Sequence, residues 1–297
     1  MQGHRLLLVG DNPFHGVSHL SQDKARTRSG DLDNPEYCTS LLKIAIENGA
    51  DGFMFSVNGF TLKIVDIITK QGLHPALYAI APAASDYVRL ASQLGTPGMA
   101  IYLAKQILKS GNLKAIYYGF KGVLLQNPKA LMKAYLYHEI FKIQTVLKSK
   151  HGPNCFLLHE IVTEMALSLK MGWLFQSFIK FMSGMGIQPG FITRNPVLLI
   201  QNLLELEIDL TQTVIVAPFN KAGFQMNPTR EECEEILEKI PQTEVIAMSI
   251  LAGGYLKPDE AIRYINEIPQ IKGVVIGVSS VKHAADFKFF KEALSEK

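Results

Sequence analysis

Four apolar runs in the last third of the chain, each closing on small polar residues, constrain the fold more than any other feature. They are 189–195 (PGFITRN), 213–220 (TVIVAPFN), 244–249 (EVIAMS) and 273–280 (GVVIGVSS), with helical patterns such as 229–240 (TREECEEILEKI) between them. Short β-type runs alternating with helix-length segments describe parallel strands joined by crossover helices. In that architecture ligands meet the loops at the carboxyl ends of the strands, so the residues just after each run are the candidate site.

The rest of the chain supplies four more strands, at 6–10 (LLLVG), 52–57 (GFMFSV), 75–80 (PALYAI) and 154–160 (NCFLLHE). Helical spacing covers 35–49, 61–71 and 165–182. Eight strands with helices between them predict an α/β fold, a closed (β/α)8 TIM barrel forming one domain over residues 1–297. Residues 85–150 lack strand punctuation and read as a helical insertion or lid between strands three and four. The alternative, an open doubly wound sheet, lacks its usual signatures: no GxGxxG follows the first strand and no GxxxxGK[ST] occurs.

At 297 residues the chain matches one barrel. No uninterrupted apolar stretch reaches the roughly 20 residues of a membrane span. The N-terminus has no apolar h-region with a cleavage site, which points away from secretion. The three cysteines (Cys38, Cys155, Cys233) are odd in number, far apart and form no CxxC pair, so neither a disulfide framework nor a zinc site is indicated, and a cytoplasmic location is expected. The net charge of +3 implies no nucleic-acid partner, and no specific nucleic-acid motif is present.

That small net charge is unevenly spread. Residues 98–150 carry nine lysines and a single acid, Glu139, a net +8, which leaves −5 for the remainder. Lys105/Lys109 and Lys129/Lys133 are spaced i, i+4 among Tyr102, Tyr117, Tyr118, Phe120, Tyr135, Tyr137 and Phe141. The block reads first as an amphipathic lid with lysines in water and aromatics on the barrel rim. The second reading is a contact surface for anionic lipid, nucleic acid or a phosphorylated ligand.

After strand one stands GDNPFHGVSHLS, with Asp11, His15 and His19; a carboxylate with imidazoles moves protons or binds a metal. An Asp-Asn-Pro turn is the structural alternative. Ser56 and Asn58 follow strand two, small polar groups suited to a hydroxyl or phosphate. His159 and Glu160 close strand four, where an inward histidine is an acid, a base or an oxyanion donor. Arg194 sits between Thr193 and Asn195 after strand five, and Lys221 follows strand six. Ser249 follows strand seven. Gly277, Ser279 and Ser280 open the last helical region, where backbone N–H groups and two hydroxyls suit an anion.

The segments IQPGFITRNPVLLIQNLLE, VIAMSILAGGYL and VVIGVSSVKHAADF, together residues 187–290, resemble the fifth, seventh and eighth strand regions of the aldo/keto reductase superfamily; Ser249–Gly254 is the most specific piece. The resemblance implies a barrel that reduces carbonyls with a nicotinamide cofactor through Asp, Tyr, Lys and His. Carried over by position, the histidine is His159. The aspartate is replaced by Ser56, the tyrosine's neighbourhood holds Phe60 and Thr61, and PALYAIAP has no lysine. NAD(P) would then lie against Thr193, Asn195, Ser249, Gly277, Ser279 and Ser280. The functional expectation is an enzyme, oxidoreductase-like, acting on a small anionic substrate with His159 as acid or base and Asp11, His15 and Glu160 as its partners. A metal-dependent hydrolase or lyase built on Asp11, His15, His159 and Glu160 is the alternative, although no specific metal motif is present. A non-catalytic binding protein using the basic block is the third. Oligomeric state and substrate are not legible in the sequence.

Overall fold

The computed structural model describes residues 5–16 and 32–295. Eight strands form a closed parallel barrel in chain order: β1 (Leu6–Gly10), β2 (Gly52–Ser56), β3 (Ala76–Ala81), β4 (Cys155–Leu158), β5 (Gln188–Ile192), β6 (Val214–Pro218), β7 (Glu244–Met248) and β8 (Ile271–Gly277). β8 closes the ring on β1 in register Leu6↔Gly273 to Gly10↔Gly277. The expected (β/α)8 barrel is therefore the fold.

Strand alternation divides the core into two layers. Leu8, Met54, Tyr78, Leu157, Val216 and Ile246 point into the barrel and fill it. Leu7, Val9, Phe53, Phe55, Phe156 and Phe191 point outward into a larger layer beneath the helices. At the amino end the filling turns polar: Glu244 accepts hydrogen bonds from the Tyr78 hydroxyl (3.2 Å) and the Gln188 side-chain amide (3.1 Å).

The interior leaves no room at two glycines. A Cβ on Gly52 would stand 2.4 Å from the Ala76 carbonyl oxygen, and one on Gly190 would stand 2.4 Å from Leu157 Cδ2 and 2.9 Å from the Val214 oxygen. Gly190→Val is expected to cost about 1–3 kcal/mol through overpacking, read as a lower urea midpoint with an unchanged m-value.

The outer helices are α1 (Pro35–Glu47), α2 (Gly59–Lys70), α3 (Ala84–Lys109), α4 (Leu113–Leu124), α5 (Pro128–Leu147), α6 (Glu160–Ser168), α7 (Gly172–Gly184), α8 (Pro196–Glu205), α9 (Arg230–Glu235), α10 (Pro258–Asn266), α11 (Val281–Ala285) and α12 (Phe287–Ser295). Asparagines start many of them: Asn34, Asn58, Asn112, Asn127 and Asn195 each accept a backbone N–H from the first turn. The expected single helix at 165–182 is two. α6 ends at Ser168 and Lys170 takes φ +52°, which breaks the run before α7 begins.

The segment between β3 and β4 holds three helices, α3, α4 and α5, and they differ in role. α5 packs against α2 and α7. It buries Leu136, Ile140 and Ile143 in the outer core layer, taking the place of an ordinary ring helix. α3 and α4 are the added elements. α3 bends at Gly95 (φ +66°) ahead of Pro97. α4 lies on α5 through small residues, Ala115 and Gly122 being buried there, and a Cβ on Gly122 would meet Leu131 Cδ2 at 2.5 Å.

α5 also buries two titratable groups. Glu139 is fully buried, which raises its pKa; it pairs with Lys142 Nζ at 2.7 Å and accepts the Tyr87 hydroxyl at 3.4 Å. His138 is buried with Nδ1 lacking a partner among the described residues, and burial, helped by the Lys142 charge, pushes its pKa down to about 4. The neutral ring thus contributes stability above its unfolded pKa of about 6.5 that is lost as pH falls toward 4. His138→Leu should remove up to about 3 kcal/mol of the acid-induced loss, measured by urea unfolding at pH 7 and near pH 4.

Candidate active site

β1 delivers Asp11 to the carboxyl-end rim. The chain then turns through a short 3-10 helix, Asn12–His15, closed by Gly16 at φ +68°. Asp11 is only 3% exposed, and its carboxylate is engaged on two sides. Oδ2 accepts the Ser56 backbone N–H at 2.7 Å, which ties the end of β1 to the end of β2. The same oxygen lies 3.1 Å from His15 Nε2, and the His15 ring rests 5.8 Å from the Phe60 ring. Burial opposes protonation of His15, but the hydrogen bond and charge of Asp11, with the charge of Asp86, outweigh it. The net effect raises the pKa above the ordinary 6.5.

His159 follows β4, and its backbone N–H bonds the Ala81 carbonyl at the end of β3 (3.0 Å). Its Nδ1 accepts the Ile161 backbone N–H at 3.1 Å, capping α6. An occupied Nδ1 lone pair assigns the proton of the neutral ring to Nε2. Burial lowers the His159 pKa below the ordinary 6.5. Arg194 acts in the same direction, while the charges of Glu160 and Asp11 oppose it. Asp11 therefore acts on both histidines at one mouth, and the two pKa values move in opposite directions.

Glu160 turns away to a second cluster. It holds Arg194 bidentately, Nε–Oε2 at 3.0 Å and Nη2–Oε1 at 2.8 Å. Glu164, one turn on, accepts the Thr193 hydroxyl at 2.7 Å and the Arg194 N–H at 3.0 Å. Thr193 is fully buried, and its hydroxyl oxygen also accepts the Asn195 N–H at 2.9 Å. The four side chains Asp11, His15, His159 and Glu160 thus do not form one ligand set. Among the described residues no group of three His, Cys, Asp or Glu side chains is gathered in the manner of a metal site. His19 lies outside the described residues.

The expected cofactor residues occupy β5, β7 and β8. Asn195 caps α8 through Oδ1, accepting Leu198 N–H at 2.9 Å, and its Nδ2 has no partner among the described residues. Ser249 sits in a left-handed turn (φ +55°) and is half-buried. Ser280 caps α11 by accepting the His283 N–H, and Ser279 Oγ lies 3.0 Å from His283 Nδ1. Gly277 faces Pro13: a Cβ there would stand 2.7 Å from Pro13 Cγ, so a side chain at 277 would displace the loop that carries His15. Glycine at 277 thus lets β8 meet the Asp11–His15 turn closely. Glu164, Asp86 and the supporting role of Phe60 were not legible as site features in the sequence. The i+4 spacing of Glu164 from Glu160 was the one available signal.

Neither a scan against protein-family models nor a search of curated proteins returned a match. Solved structures do resemble the chain. One from Pseudomonas aeruginosa, itself provisionally assigned as an aldo-keto reductase, superposes with a TM-score of 0.59 at 11% identity, covering 97% of this chain and 90% of that one. The chain shares the barrel fold of that structure. A holo-form aldo-keto reductase from Bacillus halodurans gives 0.52 at 10% identity, covering 89% and 83%. An aldose reductase from Schistosoma japonicum gives 0.50 at 11%, covering 98% and 89%. At these identities the likeness concerns the fold.

Proposed function

We propose that the chain is an acid–base oxidoreductase that reduces a small carbonyl compound, with the Asp11–His15 pair as the proton source and His159 as a neutral hydrogen-bond donor. One observation carries this reading: the buried Asp11 carboxylate lies 3.1 Å from His15 Nε2 and raises its pKa, while burial lowers that of His159 at the same mouth. Groups pushed apart in this way at one mouth are suited to divided acid–base roles. His15 holds its proton more tightly than a free imidazole, and Asp11 holds the imidazolium by Nε2, leaving Nδ1 for the substrate. His159, neutral with its proton on Nε2, donates a hydrogen bond to an oxygen gaining negative charge. The aspartate of the reductase pattern is replaced by Ser56; here the backbone of Ser56 instead holds Asp11 in place.

Reduction needs a hydride as well, the chemistry a nicotinamide cofactor supplies when bound. The Asn195 Nδ2 and the Ser249 hydroxyl, neither with a partner among the described residues, together with Ser279 and Ser280, are the groups that would hold it. A substrate bearing a carboxylate or phosphate suits a mouth with a protonated histidine. A cytoplasmic setting fits this chemistry. Among the described residues no helix is long and apolar enough to cross a membrane.

Calorimetric titration with NADPH and NADH, followed by cofactor oxidation over a panel of small aldehydes and keto acids, tests the proposal. Binding of one cofactor and turnover lowered about 10²–10⁴-fold by His15→Ala support it; binding of neither rejects the oxidoreductase reading. In active protein, kcat/KM should be bell-shaped with pH. The acid limb follows His159, below 6.5, and the alkaline limb follows loss of the His15 proton, above 6.5.

A further inference from the structure

The α3–α4 hairpin carries an apolar face that nothing among the described residues covers. On α4, Leu113, Tyr117, Phe120 and Leu124 are spaced i, i+4, i+7 and i+11, one stripe along the helix. The stripe points outward: Leu113 is 80% exposed, Phe120 68% and Leu124 82%. Val123 and Leu125 extend it, and Ile101, Tyr102 and Leu108 on the second half of α3 are exposed as well. The arrangement inverts that of an ordinary surface helix, because α4 turns its small residues toward α5 and its bulky ones toward solvent. A contiguous exposed apolar surface of this kind marks an interaction site.

Charge selects the occupant. Lys105, Lys109, Lys114, Lys121 and Lys129 are exposed around the stripe. The single acid of residues 98–150, Glu139, is buried on Lys142, so no exposed carboxylate within that block offsets them. A second copy meeting this face on its own equivalent would set two lysine clusters against each other. We propose that the α3–α4 face docks on an anionic lipid surface, lying in the interface with its apolar stripe among the acyl chains and its lysines at the headgroups. Tyrosines and lysines suit that depth, since each has an apolar body and a polar tip. The proposal is independent of the oxidoreductase reading, because none of these residues belongs to the Asp11–His15–His159 site.

Co-sedimentation of the purified full chain with vesicles tests it. The vesicles are phosphatidylcholine alone, or phosphatidylcholine with one-third phosphatidylglycerol, at low and high salt. The expected result is retention on the phosphatidylglycerol vesicles at low salt, little on phosphatidylcholine, and release by salt. Phe120→Asp with Leu124→Asp should lower the partition coefficient roughly tenfold or more. Lys114→Gln with Lys121→Gln should lower it about fivefold per lysine and flatten the salt dependence. Circular dichroism of both double variants should match the parent, because these side chains are exposed. Failure to bind phosphatidylglycerol vesicles overturns the proposal. So does a concentration-dependent dimer in sedimentation velocity that Leu124→Asp dissociates, which would assign the face to a second copy.

Discussion

His15→Ala is expected to lower kcat for carbonyl reduction by about 10²–10⁴-fold, the usual worth of a positioned general acid. KM should change little, because the proton is needed as charge develops on the substrate oxygen. Asp11→Asn should fall between parent and His15→Ala. An amide at position 11 still occupies the space and still offers an oxygen to the Ser56 N–H, 2.7 Å away, but it carries no charge to support an imidazolium. The alkaline limb of the pH profile should then move to lower pH. What remains at His15 is burial, which lowers the pKa, and the charge of Asp86, which raises it. A purely structural role for Asp11 would lower stability and leave that limb where it was. Stability should follow the same sign. Because the folded pKa of His15 is raised, its pairing contributes most below about 6.5 and is lost as pH rises through the folded value.

Phe191→Ala is expected to destabilise the barrel by about 3–5 kcal/mol, the usual cost of deleting a fully buried aromatic. Phe191 lies on the outer face of β5 with no exposure, its ring 5.3 Å from Phe175 edge-to-face and 5.5 Å from Phe178. Truncation opens a cavity beneath α7 that neighbouring aromatic rings are too rigid to fill. The thermal midpoint should drop by roughly 5–15 °C in a scanning calorimeter. Phe191→Leu, which keeps most of the volume, should recover at least half of the loss. Thr193 and Arg194 follow two and three residues later, so loosening β5 should also weaken the Glu164 and Glu160 contacts. A loss below about 1 kcal/mol would show that this aromatic layer does not carry the packing assigned to it.

The barrel was legible because its signals are local. Each buried strand is a short apolar run, and each run ends in residues that cannot continue it, such as Asp11-Asn12-Pro13 or Gly277 with Ser279 and Ser280. The segment 85–150 was legible as helical but not as to place. α5 joins the ring through Leu136, Ile140 and Ile143, whereas α4 points Leu113, Phe120 and Leu124 at solvent; both show apolar residues at helical spacing, and spacing does not say which face is covered. Of the aromatics in this block, Tyr137 meets the ring of Phe181 on α7 at 4.8 Å, whereas Tyr117 and Phe120 are exposed.

The site was half legible for a similar reason. Strand ends point to Asp11, His15 and His159 one by one. Their relation depends on contacts between residues far apart in the chain, of which Asp11 to the Ser56 N–H is the clearest. Glu160 looked like a partner of His159 because it is adjacent in sequence, yet it is bonded to Arg194, 34 residues away. Asn195 and Ser280 looked like cofactor ligands, and each also caps its own helix, a duty that the same residue types signal in sequence.

The account rests on the Asp11 pairing raising the pKa of His15 while burial lowers that of His159. Proton NMR titration of the imidazole signals, assigned with His15→Ala and His159→Gln, measures this directly. The expected result is a His15 midpoint above 6.5 that falls in Asp11→Asn, and a His159 midpoint below 6.5. Two histidines titrating together near 6.5, or a His15 midpoint indifferent to Asp11→Asn, would contradict it.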